Sequence, residues 1–111
     1  MNIEDLTLKQ IKELISLLGP RLADDASAWE IGKIYLIRTV TMIDTGRLVQ
    51  VTPNELVLEE AAWIADTGRF MQALEKAEFG EVEPFPSGRV IIGRGSIIDA
   101  VTIKATQRSQ K

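Results

Sequence analysis

The 111-residue chain contains no cysteine and no histidine. The first absence excludes disulfides, thiolate metal sites and cysteine nucleophiles. The second removes the commonest general base and the commonest metal ligand. Aromatic residues are scarce, at 5%, so no stacking platform is spelled out in the chain. No apolar run approaches the roughly 20 residues needed to cross a bilayer, so no membrane partner is expected. The start, Met-Asn-Ile-Glu-Asp, is acidic and lacks a signal-peptide core, which points to a cytoplasmic location. Net charge is −3, which rules out a whole-surface basic coat for gripping duplex DNA but not a local basic patch.

What is there is the profile of one globular domain: 45% hydrophobic and 26% charged residues. Residues 1–18 hold an amphipathic helix. Leu8, Ile11, Leu14, Ile15 and Leu18 form one stripe at three- and four-residue spacing, and Gly19-Pro20 ends it. Residues 19–30 read as a linker, broken by Pro, Ser and two adjacent aspartates.

From Ile31 the texture turns β-branched, and the barrel-forming domain is expected over residues 31–104. Ile34–Ile43 is a strand whose apolar residues fall on both parities, so it is either buried on both sides or bent near Arg38. Asp44-Thr45-Gly46 predicts a turn, Arg47–Val51 a second strand, Thr52-Pro53-Asn54 another turn, and Glu55 to about Trp63 a third strand. An insertion over 66–88 holds a short helix within Asp66–Ala77, with Asp66 or Thr67 as its cap and Gly80 at its end. A Pro-containing loop follows over Glu81–Gly88. Arg89–Arg94 and Ser96–Lys104 are two more strands, and residues 105–111 a flexible polar tail. Five short strands with tight turns fit a mainly β fold: a bent antiparallel small barrel, partly open, after an N-terminal α-helix. Within the last strand, Ser96–Ile103 carries a single charge and is apolar on both parities, so an edge near it is expected to pair with another subunit.

Asp-Thr-Gly-Arg occurs twice, at Asp44–Arg47 and Asp66–Arg69. Ile43-Asp44-Thr45-Gly46 with Val90-Ile91-Ile92-Gly93-Arg94 resembles a retroviral-type aspartic protease, in which Asp44 of two subunits would share one proton. Arg47 after the triplet, the lack of a Gly-rich flap and the strand-like Ser96–Val101 all depart from that family. The plainer alternative makes both triplets turns or caps.

A better match lies in the meander. Gly46-Arg47-Leu48-Val49-Gln50-Val51-Thr52-Pro53-Asn54-Glu55-Leu56-Val57-Leu58-Glu59 resembles the first motif of Sm-like (Lsm/Hfq-type) proteins, and Ile92-Gly93-Arg94-Gly95-Ser96-Ile97-Ile98 resembles the second. Leu-Ile-Arg-Thr-Val-Thr-Met and Ala-Ala-Trp-Ile-Ala-Asp-Thr-Gly-Arg-Phe also look like small phage or prophage proteins of uncharacterised role. The Sm-like resemblance implies an Sm/SH3-like barrel. It also implies a homo-oligomeric ring of about five to seven copies, closed by pairing of the last two strands between neighbours. Pore-side loops in that family bind single-stranded RNA or nucleotides. Arg94 and Gly95 match the motif directly. Asn54 matches loosely, because the turn is one residue short and Thr52 stands where an Asp is expected.

Arg47, Arg69, Arg89 and Arg94 fall at predicted turns or strand ends, and the planar arginine fork suits phosphate and base stacking. Arg94 is equally suited to pair with Glu83 or Asp99. Tyr35, Trp63 and Phe70 are candidates to stack on a base or simply to fill the core. Residues 1–30 and 31–103 each carry net −3 and residues 104–111 carry +3, so anion binding must be local. The expectation is a non-enzymatic, phage-encoded ring, acting in the cytoplasm of a bacterial host. It would bind a nucleotide-type or single-stranded nucleic-acid ligand at Arg94, Gly95, Asn54 and Arg47, with no cofactor and no metal. An assembly ring without a ligand is the alternative, and the Asp44 protease the second alternative.

Overall fold

Ile34-Tyr-Leu-Ile-Arg-Thr39 forms strand β1 in the computed structural model, which describes residues 28–111. The helix expected over 7–18 and the linker up to residue 27 lie outside the described residues. β1 is buried on both sides, as its double apolar parity implies. Leu36 points into one cluster with Ala62, Ile64, Phe79 and Val82. Tyr35 and Ile37 point into a second, with Leu48, Leu56, Leu58 and Ile92. Each fully buried Leu or Ile here contributes about 1.5–3 kcal/mol over leaving it exposed.

The first hairpin turns earlier than the glycine suggests. Thr39 and Met42 close it: the Thr39 N–H donates to the Met42 carbonyl at 2.8 Å, and the Met42 N–H donates to Thr39 Oγ1 at 3.0 Å. A threonine hydroxyl thus does the work usually signalled by Gly or Asn. Strand β2 runs Ile43–Val51, so Asp44-Thr45-Gly46 is the interior of a strand and not the expected turn. Gly46 is there for close approach. A Cβ on it would lie 2.9 Å from the Glu59 carbonyl oxygen and 3.1 Å from Ala61 Cα. The cause is a β-bulge in the facing strand. Thr45 pairs Ala62 and Arg47 pairs Glu59, so β3 fits one extra residue, and Glu60 takes φ 51° to absorb it.

Strand β3 spans Glu55–Asp66. It ends in the second Asp-Thr-Gly, which is a turn as expected: Asp66 Oδ1 accepts the Gly68 N–H at 2.8 Å, and Gly68 has φ 67°. Helix α1, Phe70–Lys76, starts at Arg69 without a side-chain cap and ends on left-handed Ala77. Neither Asp66 nor Thr67 caps it, because the Asp66 carboxylate is spent on Gly68. Gly80 is not its terminator.

The Glu81–Gly88 segment is not wholly loop. Glu81–Pro84 forms β4 on the distal half of β3. Pro84 is tolerated at the last position of that short strand. Val90–Gly93 forms β5 on the proximal half of the same β3 edge, at Glu55–Leu58. A 3-10 turn, Arg94–Ser96, then leads into β6, Ile97–Thr102, which crosses to pair β1. The result is a six-stranded antiparallel sheet in the order β4-β3-β2-β1-β6, with β5 beside β4 on β3. It is not closed into a barrel, and it has one strand more than the five expected. The tail does not hang free: Lys111 and Val82 exchange both backbone hydrogen bonds at 2.9 Å, and Gln107 Nε2 donates to the Ala77 carbonyl at 3.0 Å.

Candidate functional site

Three of the four residues singled out by motif come together at one end of the sheet. The Arg94 N–H donates to the Asn54 carbonyl at 2.9 Å. Arg94 Nη1 donates to the Thr52 carbonyl, also at 2.9 Å. The guanidinium therefore braces the β2–β3 turn from the start of the 3-10 turn, and Arg94 itself is half-buried. The turn is closed internally as well, with the Glu55 N–H donating to Thr52 Oγ1 at 3.0 Å. Asn54 and Gly95 are exposed beside it. Gly95 has neither a positive φ nor any atom within 4 Å of where a Cβ would stand, so nothing in the backbone demands glycine there.

Arg47 is not part of this group. It projects from the bulged stretch of β2, where Nη1 donates to the Gly32 carbonyl at 3.0 Å and Nη2 lies 3.4 Å from Glu60 Oε2. It lies five positions before Thr52 along the chain, about 16 Å of extended backbone. Asp99 is taken by Arg38, through Nε at 2.7 Å and a second contact from Nη2. That ion pair holds the Asp99 carboxyl below its ordinary value. Arg69 and Arg89 are exposed in connecting segments.

The aromatics divide. Tyr35 is core, edge-on to Trp29 with centroids 5.2 Å apart, its hydroxyl accepting the Glu30 N–H at 2.9 Å. Phe70 lies under the Arg38 guanidinium at 5.1 Å. Trp63 faces a cavity of about 370 Å³ walled by Met42, Pro84, Phe85 and Pro86, with Asp44 and Glu83 as its acids. Asp44, Trp63 and Glu83 stand in one cross-strand row over β2, β3 and β4, so their side chains share a face. Asp44 is only 8% exposed. Burial alone raises its carboxyl above the ordinary value; no charged or hydrogen-bonding partner among the described residues offsets this. Motif reading valued Asp44 for its triplet and missed the cavity. The available signal was an acid set between Ile43 and the following apolar strand, together with the rigid Pro84-Phe85-Pro86.

Chemically, the Arg94 turn offers the unspent part of a planar cationic fork, an exposed amide at Asn54 and an open approach at Gly95. That set suits a phosphate or a base edge. Among the described residues no three His, Cys, Asp or Glu side chains are grouped to hold a metal, and no helix is long and apolar enough to cross a membrane. Comparison with known proteins finds no matching family model, no matching curated protein and no matching solved structure.

Proposed function

We propose that this chain is a self-assembling β-module of Sm-like type, which presents the Arg94 turn once per copy to a phosphate-bearing ligand of nucleotide or single-stranded nucleic-acid type. The observation that carries the reading is the placement of that turn. Among the described residues β5 pairs only β3, and β6 pairs only β1. Arg94–Ser96 is the link between these two strands. Each strand also displays a large apolar residue, Ile91 at 56% and Ile98 at 65% exposure. An unpaired strand edge bearing apolar side chains is a template for another strand. Pairing β5 of one copy with β6 of the next is head-to-tail, and closes a ring if the rotation allows. Repetition would then set several Arg94 forks about one axis, so that weak single contacts add by avidity. Because Arg94 already braces the Thr52 carbonyl, its orientation is fixed before any ligand arrives.

Native mass spectrometry tests the assembly, with a defined oligomer expected and a monomer at micromolar concentration counting against it. Binding of a nucleotide and of a fluorescent oligonucleotide tests the site. Arg94→Gln keeps a donor for the Thr52 carbonyl and removes the charge, so it is expected to weaken binding about tenfold or more without dissolving the oligomer. The structural use of Arg94 also favours a second reading, an assembly ring without a ligand. An intact oligomer that binds neither probe selects it.

A further inference from the structure

We propose that the cavity between β2, β3 and β4 is a recognition site for an organic cation on a short apolar stem, the chemistry of an arginine or lysine side chain. It is separate from the Arg94 turn and stands whether or not that turn binds phosphate. The two charged side chains that line the cavity are both carboxylates, Asp44 and Glu83, and its walls are Met42, Trp63, Pro84 and Phe85. A negative end and an apolar body together specify the occupant: a positive head with a hydrocarbon shaft. The volume, about 370 Å³, lies at the lower end of small-ligand sites and admits one such group.

A metal ion does not satisfy the same geometry. Trp63 stands between the two acids in the cross-strand row, which puts their Cα atoms two strand spacings apart, about 10 Å. Hard divalent cations need several oxygens within about 2.6 Å, and the remaining walls supply hydrocarbon. An indole instead offers its face to a guanidinium or ammonium group. Asp44 supplies the second line of argument. It is 8% exposed, beside core Ile37 in the same row; no described residue donates to it, and its carboxylate keeps some contact with solvent. Leaving a carboxylate so placed costs stability, and a bound cation removes that cost. The site is thus built at the expense of the empty fold, the pattern of a binding position and not of a packing position.

The test is a titration of the full-length 15N-labelled protein with N-acetyl-arginine methylamide, with agmatine, and with N-acetyl-citrulline methylamide, the uncharged counterpart of the first. Shifts of the Trp63 indole N–H and of the Met42, Asp44 and Phe85 amides are expected with the first two probes, and at least about tenfold weaker ones with citrulline. Binding of the capped arginine points to a side chain of a polypeptide as the source, and binding of agmatine alone to a free amine; either supports the site. Asp44→Asn is expected to lose about tenfold in affinity while keeping the wild-type spectrum elsewhere, and Glu83→Gln, on exposed β4, to lose less. Citrulline binding as tightly as arginine, no probe binding at all, or an Asp44→Asn protein that binds undiminished would each overturn the proposal.

Discussion

Two glycines in motif-like settings have opposite physical roles, and substitution separates them. Gly46 is pressed against the bulge of β3, with backbone atoms within about 3 Å of any added methyl. Gly46→Ala must push Glu59 and Ala61 away, and is expected to cost about 1–3 kcal/mol. Gly95→Ala meets nothing and should stay within about 0.5 kcal/mol of wild type. Urea denaturation followed by circular dichroism checks both, with the slope held constant. Asp44 carries a pH signature. Its folded carboxyl titrates above the ordinary value of 3.8, so the folded state holds the proton more tightly than the unfolded one. The destabilisation is absent below that value, and grows as pH rises through it to the raised folded value. Asp44→Asn should therefore gain stability relative to wild type at pH 7 and lose that advantage at pH 3. Glu83, the other titratable side chain on the cavity, is common to both proteins. Asp99, held low by Arg38, works in the opposite sense: its contribution is present above the ordinary value and fades on acidification. Both partners are exposed, so that effect is small.

At the scale of elements, β3 organises the molecule. It is long enough to receive β5 on its first half and β4 on its second along one edge, with β2 along the other. The β4 strand is only four residues long and depends on help from outside the sheet. The tail supplies it, through the paired bonds between Val82 and Lys111 and the Gln107 contact to the end of α1. Removing residues 106–111 leaves those groups to water. Expected outcomes are a loss of about 1–3 kcal/mol and faster amide exchange at Val82, read by hydrogen–deuterium exchange. Unchanged protection would mean that the tail rests on β4 without supporting it.

At the scale of the whole molecule, the sheet buries apolar residues on both faces yet leaves β5 and β6 with unpaired outer edges among the described residues. The proposed assembly is the saturation of those edges. Ile91→Lys and Ile98→Lys place a charge on each without touching the core, since both side chains already face solvent. Each is expected to shift native mass spectra toward monomer with the circular dichroism spectrum unchanged. A charged edge that still assembles would move the interface elsewhere on the surface. Net charge of −3 keeps general attraction to a polyanion weak, so any ligand affinity of the Arg94 turn should fall with salt only as steeply as its few local contacts require.

The sequence by itself determined the chemistry excluded by missing cysteine and histidine, the β-rich body, the three-strand meander, the helix after β3 and the break between the last two strands. These are local matters: side-chain parity, β-branching and turn residues act within a few positions. It grouped Arg94 with Asn54 only through the Sm-like resemblance; the contact itself comes from the long-range pairing of β5 with β3, across the intervening helix and β4. Only the tertiary structure decided that the first Asp-Thr-Gly lies inside a strand, since the reason is a bulge thirteen or more residues further along. It decided that a proline-bearing stretch is a strand, because β3 offers the partner. It set the sheet open rather than closed, and it joined Asp44, Trp63 and Glu83 from three strands into one cavity. Such features depend on register between distant segments, and no local pattern of side chains encodes register until the partners meet.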